Sequence, residues 1–237
     1  MRILVLQHGH VEHPGRLRQF LAEDGHDWQA VVLTEEAPPP LDGFDALWVM
    51  GGAMDVWEEE AHPWLRREKA LIREAVAERG LPYLGLCLGH QLLAEALGGA
   101  CADGAVEVGM MDVHLTEEGA SGVFLDGLES PFRAMQWHHA RVERVPDGAR
   151  VLATSPGTAV EAMAWGPRAL GLQFHLEADA GTFDGWLGKG GHRGALEREL
   201  GQAGADATVA ANRAESPALI RTAERVYINW LQAAAQA

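Results

Sequence analysis

Cysteines, basic residues and long apolar runs are all scarce in this sequence of 237 residues. Its two cysteines, Cys87 and Cys101, are too few for a disulfide framework and favour a reducing compartment. Its 19 Lys and Arg residues are outnumbered by 34 Asp and Glu residues, and the formal charge of −15 argues against nucleic acid as a partner. No segment approaches the roughly 18 apolar residues of a membrane span, and the N-terminal apolar run is too short for a signal peptide. We therefore expect a cytoplasmic protein that has no membrane partner.

The remaining composition is that of an ordinary globular protein. Hydrophobic residues make up 47% of the chain and charged residues 22%, which argues against disorder and against a coiled coil. A chain of this length forms one large domain or two small ones. Because no internal repeat and no clear linker interrupts the sequence, we predict a single domain over residues 1–237.

Short apolar runs alternate with segments of helical spacing in the first hundred residues. Strands are predicted at 2–7, 28–33, 46–50 and 81–86, and helices at 15–24, 64–79 and 88–97. Such alternation is typical of parallel strands joined by helical crossovers. It predicts an α/β fold of the flavodoxin-like kind, with an open, mainly parallel sheet and helices on both faces.

The second half of the chain has a different pattern. Short strand-like pieces at 111–115, 134–137, 151–153, 159–164 and 170–174 alternate with glycine and proline turns, so a β-rich half is expected to continue the sheet. From about residue 178 the sequence reads as a helical extension. Ser216 and Pro217 are the residue types that favour a helix start, and they predict that a last helix begins there.

A cysteine between two glycines lies where the fourth predicted strand meets a helix. The segment Gly85-Leu86-Cys87-Leu88-Gly89 has the layout of a nucleophile elbow, in which glycines allow a tight turn that exposes the nucleophile. The helix N-terminus that follows favours the thiolate form of a cysteine. The structural alternative is a buried cysteine that serves only packing.

A histidine and a carboxylate follow the last predicted strand. His175 and Glu177 are two residues apart, so in an extended segment both side chains point to the same side. A cysteine nucleophile needs a base, and a carboxylate can orient that base, which is the logic of a catalytic triad. A single histidine at a strand end is more often structural, so this hypothesis depends on the elbow upstream.

Backbone donors for an oxyanion can also be predicted. Gly51-Gly52 follows a strand, so its backbone can aim an N–H at the same carboxyl edge of the sheet as Cys87. The N–H of Leu88, directly after the cysteine, is the expected second donor. By itself, a double glycine after a strand indicates only a turn.

These residues together resemble the class I, or triad, glutamine amidotransferases, and especially free-standing chains similar to the amidotransferase domain of GMP synthase. The resemblance covers most of residues 1–177 and rests on five motifs in order. They are Gly51-Gly52, the run 85–91, the run 107–109 after Gly98-Gly99, Trp137-His138, and the run 173–177.

The resemblance implies an enzyme that needs no cofactor and hydrolyses the γ-amide of glutamine to glutamate and ammonia. Cys87 would form a γ-glutamyl thioester, His175 and Glu177 would complete the triad, and the amides of Gly52 and Leu88 would form the oxyanion hole. Substrate binding would involve Gln91, Trp137, His138 and His139. A synthetase subunit in trans could use the ammonia, because no segment resembles a synthetase domain.

Three residues depart from the family pattern near the predicted pocket. Ala53 and Leu176 replace common prolines, and Ala140 replaces a common aspartate. These departures leave open a γ-glutamyl peptidase or amidase that uses the same residues on another γ-glutamyl compound. A non-catalytic binding or regulatory subunit, from a different class of function, remains open too.

Two further segments invite a ligand interpretation. His8, His10, His13 and the nearby carboxylate of Glu12 suggest a metal, but their spacing matches no known site type, so we assign no metal and expect these histidines to shape a pocket. The glycine-rich run 188–194 lacks both a preceding strand and the spacing of a phosphate-binding loop. We interpret it as a loop.

Overall fold

A nine-stranded sheet forms the centre of the computed structural model, which describes residues 1–188 and 191–235. The strands in chain order are β1 (Arg2–Gln7), β2 (Asp27–Val32), β3 (Ala46–Val49), β4 (Tyr83–Leu86), β5 (Ala100–Ala102), β6 (Glu107–Leu115), β7 (Phe132–His138), β8 (Arg141–Arg144), β9 (Ala149–Thr154), β10 (Ala162–Trp165) and β11 (Ala169–Leu172). The large sheet has the order β2-β1-β3-β4-β11-β10-β9-β6-β7, and β5 pairs with β8 separately.

The sheet is parallel on one side and antiparallel on the other. Strands β2, β1, β3, β4 and β11 run parallel, so their carboxyl ends lie at one edge. Strands β10, β9, β6 and β7 continue the sheet in antiparallel pairs. The order β2-β1-β3-β4-β11 is the 2-1-3-4-5 order of flavodoxin-like sheets, so the prediction of such a fold with a β-rich second half is confirmed.

Helices cover both faces of this sheet. They are α1 (Leu17–Glu23), α2 (Trp64–Arg73), which continues as a π-helical turn over Glu74–Glu78, α3 (Leu88–Ala96), α4 (Glu117–Ser121), α5 (Ala180–Gly188) and α6 (Arg193–Ala234). A short 3₁₀ turn spans Val123–Leu125. Residues of α1 and α6 pack with Ile3 and Val5 on one face, whereas residues of α2 and α3 pack with Leu4 and Leu6 on the other. The alternation of β1 side chains therefore divides the core into two layers.

Helix α6 is held to the sheet by an aromatic contact. The rings of Trp48 in β3 and Trp230 in α6 pack edge to face with centroids 5.4 Å apart, and both side chains are fully buried. The indole N–H of Trp230 donates a hydrogen bond to the Tyr83 carbonyl at 2.9 Å. Such a buried pair contributes packing energy in addition to its apolar area, so it fixes the C-terminal helix against the parallel strands.

The predicted start of the last helix at Ser216 and Pro217 is wrong. Both residues lie inside α6, which is interrupted instead at Gly201 by a positive φ of 68°. The hydroxyl of Ser216 accepts a hydrogen bond from the N–H of Ala180, so this serine joins α6 to α5 rather than capping a helix. Pro217 removes one helical hydrogen bond, and burial of the α6 face, including Leu219, stabilises the helix across that position.

The loop predicted over 188–194 is only partly described. Residues 189 and 190 lie outside the described residues, Gly188 ends α5 and Arg193 begins α6. None of the helices described in the structure is both long and apolar enough to cross a membrane.

Candidate active site

Cys87 lies on a strained turn between β4 and α3. Its backbone has φ 50° and ψ −103°, which is an unfavourable conformation for a residue with a side chain. Its N–H donates to the Leu172 carbonyl at 2.8 Å, and Gly89 lies so close to Val49 that a Cβ there would overlap the Val49 carbonyl. These contacts hold the thiol at the carboxyl edge of the parallel strands.

His175 and Glu177 form a buried pair beside this thiol. The N–H of His175 donates to the Met135 carbonyl at 2.9 Å, which fixes the backbone just after β11. Nδ1 of His175 lies 2.8 Å from Oε1 of Glu177, and both side chains are buried. A carboxylate at Nδ1 leaves Nε2 as the ring nitrogen that is available for proton transfer.

The surroundings of His175 raise the pKa of its imidazole. Burial lowers the pKa of His175, but the negative charges of Glu177 and Cys87 and the hydrogen bonds to both outweigh it and raise this pKa well above its usual value. An imidazolium between a carboxylate and a thiol stabilises the thiolate, which is the nucleophilic form of cysteine.

Two polar or aromatic side chains near the pair were not predicted as site residues. The ring of Trp186 in α5 packs edge to face on His175, with centroids 4.8 Å apart, and its indole N–H donates to the Val11 carbonyl at 2.9 Å. Nε2 of Gln173 lies 3.7 Å from the sulfur of Cys87. The motif that contains Gln173 could have indicated it, whereas no sequence signal connects Trp186 to His175.

The backbone N–H groups of Gly52 and Leu88 are the predicted oxyanion donors. Leu88 is the first residue of α3, so its N–H has no acceptor within that helix. Within residues 1–188 and 191–235, no backbone carbonyl or side chain accepts the N–H of Gly52. Gly52 packs against Leu88, because a Cβ on Gly52 would lie 2.8 Å from the Leu88 side chain. Gly52 therefore lies close to the residue that follows Cys87, and the role of the two N–H groups as oxyanion donors stays a prediction.

A cavity of about 260 Å³ opens over Cys87. The predicted site residues lie along its walls together with residues of α5 and α6. The lining residues are Glu12, Gly51, Gly52, Ala53, Met54, Asp55, Cys87, Leu88, Gln91, Val106, Trp137, His138, His139, Ala140, His175, Glu177, Trp186, His192, Ala195 and Glu199. The C-terminal helices thus contribute one wall of the cavity, which the sequence motifs did not indicate.

Comparison with known families agrees with this arrangement. The family model described as class I glutamine amidotransferase matches residues 17–188, which is most of the chain and includes Cys87, His175 and Glu177. The chain belongs to the class I glutamine amidotransferase family. The resemblance stated from the sequence motifs is therefore confirmed.

Individual relatives of this amidotransferase extend the comparison. It is 32% identical over 193 residues to the glutamine amidotransferase-like protein YfeJ of Salmonella typhimurium, covering 79% of this chain and 80% of that protein. It is 32% identical over 152 residues to one subunit of a glutamine-hydrolyzing GMP synthase from Sulfolobus acidocaldarius, covering 63% of this chain and 76% of that relative. The crystal structure of a glutamine amidotransferase from Thermotoga maritima superposes with a TM-score of 0.87 at 25% identity, covering 100% of this chain and 99% of that one.

Gln91 of the amidotransferase is largely committed to contacts within the protein. Its Nε2 donates to the Ala140 carbonyl at 2.9 Å and to Oε1 of Gln173 at 3.2 Å. Both amide hydrogens are therefore in use, although the side chain lines the cavity. Gln91 is placed to fix the loop at Ala140, and its predicted contact with substrate stays a prediction.

Trp137, His138 and His139 lie together at the end of β7, but in different environments. The Trp137 carbonyl lies 3.9 Å from the sulfur of Cys87. His138 is buried, and this burial, followed by the charge on His175, lowers the pKa of His138 to about 3. His139 is more exposed and pairs with Asp55 at 3.1 Å. A neutral His138 shapes the cavity without adding charge, whereas His139 and Asp55 lie along its wall.

The second cysteine lies outside the cavity. Cys101 donates from its sulfur to the Gln91 carbonyl at 3.6 Å. Burial raises the pKa of the Cys101 thiol, so this cysteine is held in its unreactive protonated form. Cys101 is therefore a suitable control for experiments on Cys87.

The histidines near the end of β1 do not converge. His8 pairs with Glu68, His10 pairs with Glu35 at 2.7 Å, and Nδ1 of His13 accepts the N–H of Gly15 at 3.0 Å. In the part of the chain that the structure describes, no group of three or more His, Cys, Asp and Glu side chains could hold a metal ion. His8 is the member of this group that lies behind the active-site loop, because its Nδ1 is 2.7 Å from the Gly51 carbonyl.

Proposed function

We propose that this chain hydrolyses the side-chain amide of glutamine to glutamate and ammonia through a γ-glutamyl thioester on Cys87. The observation that carries the proposal is a cysteine on a strained elbow beside the buried pair of His175 and Glu177, in which the pKa of His175 is raised by the charges of Glu177 and Cys87. A structural cysteine has no need of such a partner, because a thiol in a protein core requires only packing. Family membership supports the choice of glutamine as substrate.

The first chemical step is acylation. The sulfur of Cys87 attacks the carboxamide carbon of glutamine, and the carbonyl oxygen becomes an oxyanion facing the N–H groups of Gly52 and Leu88. The protonated His175 then gives its Nε2 proton to the amide nitrogen, the carbon–nitrogen bond breaks, and ammonia leaves. Glu177 stabilises the imidazolium and keeps Nε2 directed at the reacting atoms.

The second step is hydrolysis of the thioester. Neutral His175 takes a proton from a water molecule, whose oxygen attacks the acyl carbon, and the same two N–H groups stabilise the second oxyanion. Collapse of that intermediate releases glutamate and returns the electron pair to sulfur. The thiolate and the imidazolium are thus restored together, and no cofactor takes part in either step.

Product release by the purified chain tests this proposal. We expect equal amounts of ammonia and glutamate from glutamine, loss of turnover in Cys87→Ser because a hydroxyl lacks the nucleophilicity of a thiolate, and nearly unchanged turnover in Cys101→Ser. Retention of turnover by Cys87→Ser would contradict the proposal. A protein that binds glutamine without releasing either product would instead be a binding or regulatory subunit.

The leaving group can be determined in the same assay. A panel of γ-glutamyl dipeptides, compared with glutamine by kcat/KM, distinguishes an amidotransferase from a γ-glutamyl peptidase. A preference for dipeptides by more than roughly tenfold, or about 1.4 kcal/mol of transition-state discrimination, would replace glutamine by a larger γ-glutamyl substrate. The catalytic residues would stay the same in that case.

Use of the ammonia by a synthetase in trans is a second, separable part of the proposal. The similarity to one subunit of a GMP synthase supports it, while the cavity walls contributed by His192, Ala195 and Glu199 support catalysis by the chain alone. Turnover measured with and without the synthetase subunit of a GMP synthase distinguishes a chain that serves a partner enzyme from one that acts alone. Strong acceleration by that subunit indicates a partner enzyme, and full activity without it indicates a free-standing hydrolase.

A further inference from the structure

A second buried histidine–carboxylate pair lies behind the loop that carries Gly52. His8 follows β1 directly, Glu68 projects from α2, and both side chains are completely buried. Nε2 of His8 lies 3.1 Å and 3.2 Å from the two carboxylate oxygens of Glu68, and Nδ1 lies 2.7 Å from the Gly51 carbonyl. The ring of Trp64 stacks on His8 at 5.4 Å. This pair has no part in the steps proposed above.

The protonation of His8 follows from its partners. A carbonyl oxygen accepts hydrogen bonds and never donates, so Nδ1 of His8 must carry a proton that points at Gly51. Burial lowers the pKa of His8, but the charge and hydrogen bonds of Glu68, followed by the Gly51 carbonyl, outweigh it and raise this pKa above its usual value. Both ring nitrogens of His8 face acceptors, so this geometry favours an imidazolium that donates to the loop through Nδ1 and to α2 through Nε2.

The carbonyl that His8 holds belongs to the same peptide group as the N–H of Gly52. A trans peptide is planar, and its C=O and N–H point in opposite directions. Fixing the oxygen of Gly51 therefore fixes the direction of the Gly52 N–H. Two successive glycines leave the backbone unusually free to rotate this peptide, so a side-chain restraint has a large effect here. A Cβ on Gly52 would lie 2.9 Å from the Cβ of His8, which shows how closely the two residues approach.

We propose that His8 and Glu68 are positioning residues that hold the Gly51–Gly52 peptide with its N–H directed at the oxyanion formed on Cys87. This inference rests on the proposed function, because it assigns the oxyanion donor of that reaction. In this role, His8 neither touches the substrate nor transfers a proton. Glu68 acts one step further away, because it orients the ring and balances its charge.

The test is a matched pair of substitutions at His8, both combined with Glu68→Gln so that no carboxylate is left buried without a partner. The amide nitrogen of His8→Asn can take the place of Nδ1 and donate to the Gly51 carbonyl. The amide nitrogen of His8→Gln takes the place of Nε2 and points away from it. Glu68→Gln alone is the reference, and thermal unfolding confirms that all three proteins are folded.

We expect the two double variants to differ in kcat rather than in KM. Relative to Glu68→Gln, the variant with His8→Gln should lose roughly 10- to 100-fold in kcat for glutamine, less than the 10²–10³-fold of a fully removed oxyanion donor. The variant with His8→Asn should keep most of the reference kcat. If His8→Gln prevents folding, the variant with leucine substitutions at both positions removes the same donor without leaving a side-chain polar group unpaired.

Alkylation of Cys87 by iodoacetamide, in a Cys101→Ser background, distinguishes positioning from general damage. Displacement of iodide forms no oxyanion, so its rate should be equal in the reference and in both double variants. Equal kcat in the two double variants would overturn the proposal, and so would a loss of alkylation that matches the loss of kcat. Absence of hydrolysis by the wild-type chain would refute the proposed function instead. In that case crystal structures of the two double variants still test the role of His8. We expect the Gly51–Gly52 peptide to be rotated only in the variant that carries His8→Gln.

Discussion

Replacing Glu177 by glutamine should slow the reaction by a calculable amount while leaving the site intact. The substitution keeps the shape of the side chain, and its amide oxygen can still accept from Nδ1 of His175, which now lies 2.8 Å from Oε1 of Glu177. What is lost is the negative charge that stabilises the imidazolium. A hydrogen bond to a charged group contributes about 1.5–3 kcal/mol and a neutral one about 0.5–1.5 kcal/mol. The difference of roughly 1–1.5 kcal/mol corresponds to about a tenfold lower kcat.

The pH dependence of kcat in Glu177→Gln is an independent test of the role of Glu177. The pKa of His175 is raised well above its usual value in part by Glu177, so the imidazolium persists to high pH in the wild-type chain. Without that negative charge the pKa of His175 falls, and the alkaline limb of the kcat profile should move to lower pH. The other carboxylate oxygen of Glu177, Oε2, has no hydrogen-bond partner in the described structure, so an amide NH₂ in its place is unsatisfied and should also lower the unfolding temperature slightly.

The assay is steady-state hydrolysis of glutamine over a range of pH, with His175→Ala as the comparison. Removing the base itself should cost at least roughly 10²–10⁴-fold, because the general acid and base are lost together. Glu177→Gln with a wild-type rate and an unmoved alkaline limb would refute the assignment of Glu177. Equal, negligible losses in both variants would show that the base lies elsewhere, with His138 and His139 as the next candidates.

Two further substitutions test the packing of the site and the electrostatics of the core. In Gly51→Ala the new Cβ would lie 3.1 Å from Cε1 of His175, so the ring must move by a few tenths of an ångström. Because a 1 Å misplacement costs roughly 10²-fold in rate, we expect kcat to fall by roughly three- to tenfold. An unchanged kcat would contradict the geometry. Burial, partly offset by hydrogen bonds from Ser155 and Gln136, raises the pKa of Glu161 to about 7, so the folded state favours its protonated form. The protonated Glu161 therefore stabilises the fold at acid pH, and this stabilisation is lost as pH rises through about 7. The free energy of unfolding should fall by a few kcal/mol in total. Urea unfolding at several pH values should show that Glu161→Gln removes this slope, whereas an equal slope in both proteins would contradict it.

The fold and the family were predictable from the sequence because their signals are local. Apolar runs ending at Met50 and Leu86 mark the carboxyl ends of β3 and β4, and alternation with helices requires those ends to share one edge of the sheet. The residues that follow those strands are therefore brought together by topology alone. His175 and Glu177 were predictable for the same reason, because they follow β11 at the same edge.

Features that depend on packing between distant segments were not predictable. His8 and Glu68 meet because α2 lies over the end of β1. They are 60 residues apart in sequence, and no sequence pattern indicates that they are in contact. Trp186 reaches His175 only through the path of α5. The false helix start at Ser216 and Pro217 has the opposite cause, since a strong local signal is overridden by burial of a helix that continues through it.

Trapping with hydroxylamine tests the central claim, a γ-glutamyl thioester on Cys87, most directly. Hydroxylamine competes with water for the thioester, so γ-glutamyl hydroxamate forms in place of glutamate. Glutamine and a γ-glutamyl anilide have different leaving groups but should form the same acyl-enzyme. That acyl-enzyme must then give hydroxamate and glutamate in the same ratio from either substrate at each hydroxylamine concentration. We predict that the ratio of hydroxamate to glutamate is the same for the two substrates, and that Cys87→Ser forms no hydroxamate. Different ratios for the two substrates, or glutamate release that hydroxylamine does not divert, would contradict the thioester.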